Sequence, residues 1–146
     1  MNLLTISDGI AGLTVTGVTI LKVTEIPLAI DIRSLPTLIP DPNNPVSNFN
    51  LTRQSFGLNS EAAYDADYQL NYNLIYAPVG TGRNTLEAIA GAIEAAVDVV
   101  DTVLASGVLT GAATYDAVIG QSAIIDVNGV SFHSVPISFR ITEIVK

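Results

Sequence analysis

The segment Val79–Asn84 reads Val-Gly-Thr-Gly-Arg-Asn and lies between a predicted strand and a predicted helix. Glycine-rich loops in this position can bind phosphate, because the free backbone N–H groups of a helix N-terminus favour anions. The details fit poorly, since no Lys-Ser/Thr pair follows as in a P-loop and the third glycine of the dinucleotide fingerprint is missing. We therefore expect Gly80 and Gly82 to permit a backbone turn, and Arg83 to reach a carboxylate or a neighbouring chain.

The other candidates for chemistry are isolated from one another. His133 is the one histidine, and no acid or nucleophile stands at a recognisable spacing from it. Asp65 and Asp67 share one face of a predicted strand and could bind a divalent cation, although solvated strand residues are the favoured interpretation. The sequence therefore predicts no catalytic residue, no cofactor and no metal site.

The strand that carries these aspartates, Asp65–Tyr76, alternates between two kinds of residue. One parity is apolar or aromatic, and the other is polar: Ala66, Tyr68, Leu70, Tyr72, Leu74 and Tyr76 against Asp67, Gln69, Asn71 and Asn73. This pattern predicts one buried and one solvated face. The tyrosines could stack on bases, but the basic groove of single-strand binders is absent, so we expect core or interface aromatics.

Composition indicates surface that is buried between chains. The 146 residues suffice for a single domain with a core, and we treat 1–146 as one domain. Apolar residues make up 49% of the chain and charged residues only 14%, against roughly 25% charged residues in average domains. Lys22, Glu25 and Pro27 interrupt the most apolar window, so no run reaches the roughly 20 residues of a spanning helix. Oligomerisation, rather than membrane insertion, is therefore expected.

Charge excludes further classes of function. The formal net charge is −8, and no Lys or Arg lies between Asn84 and Phe139, so the chain lacks the basic stripe of a nucleic-acid-binding protein. There is no cysteine to form a disulfide or a thiolate metal site. The segment Met1–Asp8 has no basic n-region, which favours synthesis in the cytoplasm.

The strongest helical pattern begins at Asn84. Asn84 can cap the helix, Glu87 can complete a capping box, and Ser106–Gly107 can end it. An apolar stripe recurs at helical spacing: Leu86, Ile89, Ala90, Ile93, Ala96, Val97, Val100, Val103 and Leu104. Acidic residues share the opposite face: Glu87, Glu94, Asp98 and Asp101.

The remaining elements are mostly extended. We predict a short helix within 3–13, a strand within 14–24 and, at Leu35–Pro40, a proline-bounded edge strand. A long hairpin is predicted between Val46 and Tyr76, turning at 57–60, and a second one joins 114–127 to 130–145 through Asn128-Gly129. Pro136 should mark a bulge or an edge position there.

The predicted fold class is accordingly α+β. An antiparallel sheet of two long hairpins carries one long helix on a face, with a short N-terminal helix and an extended Pro-rich arm. Residues 1–34 form an N-terminal segment of unassigned structure, and residues 35–61 form the arm and its loop.

Four segments in this order resemble the small head-to-tail joining proteins of tailed bacteriophages, and are most similar to tail terminators. They are Leu35–Pro40, Tyr68–Pro78, the long apolar and acidic helix, and Phe132–Glu143. The resemblance covers residues 32–146. It implies an α+β virion protein, not an enzyme, that forms a ring, often sixfold, on the last layer of the tail tube. Such a ring stops tube growth and presents a surface to the head connector.

Two sets of residues follow as candidates. The polar strand face and nearby basic residues are expected to contact the next subunit: Asp65, Asp67, Arg53, Arg83 and Arg140. The acids Glu94, Asp98 and Asp101, if turned to the lumen, would let DNA pass without binding. The alternatives are another neck component, a stopper or tail-completion protein, or a small oligomeric binding module or enzyme that uses the Gly80–Gly82 loop and His133.

Overall fold

The computed structural model describes residues 2–21, 30, 32–54, 63–110, 112 and 114–145. Within these residues, two α-helices, one short 3-10 helix and seven strands follow in chain order: α1 Leu3–Ala11, β1 Thr19–Ile20, the 3-10 helix Ile32–Ser34, β2 Thr37–Pro40, β3 Val46–Gln54, β4 Ala63–Pro78, α2 Leu86–Ser106, β5 Thr114–Ile119, β6 Ala123–Val127 and β7 Val130–Val145. None of the described helices is long and apolar enough to cross a membrane.

All seven strands belong to one sheet built on two long central strands. β4 and β7 pair antiparallel along almost their whole lengths, from Tyr64 opposite Val145 to Pro78 opposite Phe132. β2 and β3 follow one another along the outer side of β4, while β5 and β6 do the same along β7. The two-residue strand β1 adds to β2 in parallel.

The predicted α+β class, with two hairpins and one helix, is therefore wrong. The described chain is mostly sheet, with 47% strand and 26% helix, and its helices fit the prediction only in part. The two hairpins merge because β4 and β7, which are distant in sequence, pair with each other. The parallel β1–β2 pair also makes the sheet mixed rather than purely antiparallel.

Several element boundaries differ from the pattern for local reasons. The predicted strand 114–127 is two strands, because the extended structure is interrupted at Gly120. The Gly120 N–H donates to the Pro136 carbonyl at 2.8 Å. A Cβ at Gly120 would lie 2.9 Å from Pro136 Cγ. Pro136 can therefore occupy the central strand β7. Its nitrogen, which has no hydrogen to donate, faces the gap between β5 and β6, where no strand residue needs that hydrogen bond. β2 is not an edge strand, because β1 covers it.

The N-terminal segment and the predicted arm also have element boundaries that differ from the prediction. α1 ends at Ala11, and only Thr19–Ile20 of the predicted strand 14–24 is a strand within the described residues. The predicted turn at 57–60 lies outside the described residues. Residues 35–61 are not simply an extended arm, because β2 and β3 within it are both paired to β4.

The sheet has a core on each face. Both helices cover one face, where Tyr68 and Tyr72 are buried beside Phe139 and the α1 residues Ile6 and Ile10. The opposite face carries a smaller buried cluster at one end of the sheet: Ile39, Ile75, Val127 and Phe132. This second core also explains why the alternation of β4 fails near its end. Asn73 and Ile75, both on the predicted polar parity, are buried.

Candidate functional site

Helix α2 has two apolar faces, and the sheet covers only one of them. The buried face consists of Ala92, Ala96, Val99 and Val103. A second row is exposed and recurs at coiled-coil-like spacing: Leu86, Ala90, Ile93, Val97 and Leu104. Leu86 is 87% exposed and Val97 is 42% exposed. We call this row the α2 stripe.

The α2 stripe was not separated from the core face by the sequence pattern. The predicted stripe mixes Ala96 and Val103, which are buried, with Leu86, Ile93 and Val97, which are exposed. Adding Ala92 and Val99 widens the apolar arc to roughly half of the helix circumference, at about 100° per residue. One sheet contact cannot cover so wide an arc, and this width was the available signal.

Around the helix axis, the α2 stripe lies about 120° from the buried face. Asp98 and Thr102, which lie farther from the stripe around the helix, form a small recess with the loop residues 14–16, and Asp101 also lines it. On the stripe side, Val100 is half-buried against the main core together with Ala117 and Ile119 of β5. Helix α2 also contacts β5, so we infer that the exposed apolar row lies toward the β5 edge of the sheet.

A second exposed apolar surface lies at the other edge, on β3. Leu51 pairs with Ala66 and Arg53 pairs with Tyr64, so both side chains point to the helix-bearing face. Phe49 stacks on Tyr68 with ring centroids 6.5 Å apart and remains 51% exposed. Leu51 and Arg53 are exposed as well. We call Phe49, Leu51 and Arg53 the β3 patch.

Three of the predicted interface residues lie on the open face of the sheet, away from the helices. Asp67 and Arg140 line one shallow groove of about 420 Å³, with Gln69 and Asp116 between or beside them. Arg140 stands opposite both Gln69 and Asp116 in the ladder. Asp67 Oδ1 accepts a 2.7 Å hydrogen bond from Thr142. Asp65 lies two residues before Asp67 on this face.

The structure does not bring Arg53 and Arg83 to that groove. Arg53 points to the helix-bearing face, within the β3 patch. Arg83 is exposed in the loop after β4, and Asp65 lies near the start of that strand. Thirteen residues of strand separate Asp65 from Pro78, a distance of about 40 Å. The five predicted contact residues therefore do not form one surface.

The acidic row of α2 is exposed to solvent. Glu94, Asp98 and Asp101 all lie on the surface. Among them Asp101 is nearest to the α2 stripe, at roughly 40° from Val97 around the helix axis. The acids thus border the stripe on its solvent side, while the sheet borders it on the other.

The glycine-rich loop is a turn closed by local contacts. Gly80 and Gly82 both adopt positive φ, 82° and 70°, and the Thr81 hydroxyl donates to the Pro78 carbonyl at 3.0 Å. The helix cap is Thr85 and not Asn84, because Thr85 Oγ1 accepts from the Ala88 N–H at 3.1 Å. The predicted capping box with Glu87 is accordingly wrong.

Asn84 instead joins a small cluster with Tyr76 and His133. The Tyr76 hydroxyl donates to Asn84 Oδ1 at 2.7 Å, and Asn84 Nδ2 lies 3.4 Å from His133 Nδ1. Tyr76 is the extra residue of a bulge in the β4–β7 ladder, which places its ring 6.2 Å from that of His133. This contact ties the loop to the sheet and includes no acid or nucleophile.

The buried tyrosines have raised pKa values. Burial is the main cause of the raised pKa of Tyr68, and a hydrogen bond to the Glu143 carboxylate and its charge act in the same direction. Burial also raises the pKa of Tyr72, whose hydroxyl lies 3.4 Å from Ser7 Oγ, and the charge of Asp8 adds to this. Both hydroxyls are therefore structural and remain protonated.

Comparison with known proteins adds no family to this description. Neither a model of a known family nor a curated protein matches the chain. Within the described residues, no group of three or more His, Cys, Asp or Glu side chains could hold a metal ion. The α2 stripe and the β3 patch are thus the features from which a function must be argued.

Proposed function

We propose that the chain is a structural virion protein of a tailed bacteriophage, a terminator that forms a ring on the tail tube and joins it to the head connector. The ring holds several copies of the chain, and rings of the family that the sequence resembles are often sixfold. Its lumen passes DNA without specific binding, and the protein catalyses no reaction.

The observation that carries this proposal is the apolar surface left uncovered in a single copy. The α2 stripe and the β3 patch are both exposed, and they lie at opposite edges of the sheet. Exposed apolar patches of a few hundred Å² often mark protein contacts. Two separate contact surfaces on one chain are what a ring requires, since each copy must touch two neighbours.

Charge supports the proposed passage of DNA. Glu94, Asp98 and Asp101 form an exposed acidic row on α2, and the chain carries a formal net charge of −8. If this row faces the lumen, it repels the phosphate backbone and prevents adhesion. A nucleotide site in the Gly80–Gly82 loop has no comparable support, because the positive φ of both glycines already explains their presence.

The proposal is tested by the mass and shape of the purified full chain. Sedimentation velocity and negative-stain electron microscopy should show a closed ring of several copies. A monomer at all concentrations measured would contradict the function. Rings added to the tube protein of the same phage should bind tube ends and stop elongation, whereas binding only to the head connector would identify a stopper instead.

A further inference from the structure

We propose that the α2 stripe of one copy docks on the β3 patch of the next copy, head to tail, with β5 of the first copy beside β3 of the second. The occupant of the exposed apolar row is therefore a second copy of this chain. This contact rests on the ring-forming function proposed above and assigns to it the two surfaces that meet.

The two edge strands β3 and β5 lie at the same level of the sheet, and their directions allow antiparallel pairing between copies. Asp116 of β5 stands opposite Arg140, which stands opposite Gln69, which in turn stands opposite Ser47 of β3. β5 and β3 are thus at the same level on the two sides of the β4–β7 pair. The three successive pairs, β3 with β4, β4 with β7 and β7 with β5, are all antiparallel. β3 and β5 therefore run in opposite directions. Copies placed side by side in one orientation therefore bring β5 next to β3 as an antiparallel pair.

The overhang of α2 fits the same arrangement. In this arrangement the α2 stripe projects beyond the β5 edge, and the β3 patch points to the same helix-bearing face at the opposite edge. When the two edges meet, Ile93 and Val97 lie above Phe49 and Leu51 of the neighbour. Both backbone edges, which have no partner strand among the described residues, then gain partners by β-augmentation.

Area explains why strand and helix must act together. The 21-residue helix is about 31 Å long, and a row along it about 10 Å wide covers only about 300 Å². A stable interface buries about 800 Å² on each partner. The stripe alone is therefore too small, and the exposed β5 edge with the half-exposed ring of Tyr115 must contribute the remainder.

Charge favours this contact over a pairing of two α2 helices. A two-fold antiparallel pair of stripes would set the acidic rows of both copies side by side, and like charges repel. The β3 patch instead brings a positive charge, Arg53, toward a helix whose exposed side is acidic. A contact between two different surfaces also repeats from copy to copy, and so closes into a ring when the rotation allows.

Mixing two assembly-defective variants tests the contact directly. Ile93→Asp/Val97→Asp breaks the α2 stripe, and Leu51→Asp/Arg53→Glu breaks the β3 patch, all at exposed positions. Each variant alone should be monomeric by sedimentation velocity and native mass spectrometry. An equal mixture should form a 1:1 heterodimer and nothing larger, because only one intact stripe and one intact patch remain. Leu4→Asp, at an exposed apolar position of α1, is the control and should assemble like the wild type.

The other outcomes separate the contact from the ring function. If the wild type forms rings and both variants still do, the ring function stands and this contact is wrong. If the stripe variant is monomeric but the patch variant assembles alone, two stripes pair with each other and the head-to-tail contact is refuted. A monomeric wild type refutes both. Circular dichroism with thermal melting confirms that each variant is folded, and Arg53→Glu alone provides a milder patch variant with an expected partial loss of assembly.

Discussion

Tyr68 and Glu143 form a buried hydrogen bond across the two central strands, with the Tyr68 hydroxyl donating to Glu143 Oε2 at 3.0 Å. Only 1% of Glu143 is exposed. The backbone N–H of Asn2 also donates to this carboxylate, at 2.9 Å to Oε1 and 3.3 Å to Oε2. A buried acid thus fastens the chain start, ahead of α1, to the end of β7, so the sheet and the helix layer depend on each other.

We expect Tyr68→Phe to destabilise the fold. The substitution keeps the ring but removes a donor from a buried carboxylate, which costs about 1.5–3 kcal/mol in the free energy of unfolding. Urea denaturation at neutral pH measures the change. Tyr115→Phe is the matched control, because Tyr115 is 43% exposed and its hydroxyl should contribute little. Equal losses in both variants would show that the Glu143 contact contributes nothing specific.

The stability of the protein should fall at alkaline pH, in part because of Tyr68. Its pKa is raised in the folded state, so above the ordinary pKa of about 10 the unfolded chain releases the proton first. Stability is then lost as pH rises from about 10 toward the folded pKa, by up to about 1.4 kcal/mol per pH unit for one group.

Unfolding free energies from pH 8 upward test this dependence. Tyr68→Phe should flatten the alkaline slope relative to the wild type. Val99→Ala serves as the control, because it removes a buried apolar group and leaves every titrating group in place. It should lower stability at all pH values while keeping the wild-type slope. An unchanged slope in Tyr68→Phe would refute the assignment.

The local sequence patterns of this chain predict where its strands lie better than they predict which strands pair. Alternation along β4 correctly placed Tyr68, Tyr72 and Leu74 in the core, because side-chain parity is a local property. Asn128 and Gly129 adopt the positive φ values, 50° and 86°, that their type predicts for a tight hairpin turn. The pairing of β4 with β7, which makes these two strands the centre of the sheet, was not predictable from spacing, because they are far apart in sequence.

For the candidate surfaces too, the sequence predicted residues but not how the fold arranges them. Sequence identified the charged residues Asp67 and Arg140, which the fold does bring to one groove. It could not show that Arg53 lies on the other face, since that depends on the pairing of β3 with β4. Nor could it divide the apolar arc of α2 into a buried and an exposed part. That division is set by the width of the sheet beneath the helix.

Asn73 should be replaceable by leucine at a gain in stability. Its side chain is 3% exposed beside the smaller core, and its Nδ2 has no hydrogen-bond partner among the described residues. Removing a buried, unsatisfied amide recovers about 1–3 kcal/mol of desolvation cost, less any strain from the new shape. We expect Asn73→Leu to raise the urea midpoint.

The neighbouring Asn71→Leu provides the opposite case on the same strand. Asn71 Nδ2 donates to the Asn44 carbonyl and to Ser47 Oγ, both at 2.9 Å, and its Oδ1 accepts from Ser138 at 3.0 Å. Asn71→Leu should therefore destabilise by about 1–3 kcal/mol. If the two leucine variants shift the midpoint in the same direction, hydrogen-bond satisfaction does not distinguish the sites.

The N-terminus of α2 should respond to Thr85 and not to Asn84. Thr85→Ala removes the oxygen that accepts from the Ala88 N–H, at a cost of about 0.5–2 kcal/mol, whereas Thr85→Ser keeps the oxygen and should cost much less. Asn84→Ala instead releases the Tyr76 hydroxyl, and its main effect should be looser packing of the loop after β4. Amide hydrogen exchange separates the two: Thr85→Ala should speed exchange in the first turn of α2, and Asn84→Ala in residues 79–83. Faster exchange of that first turn in Asn84→Ala alone would restore the cap that the sequence pattern predicts.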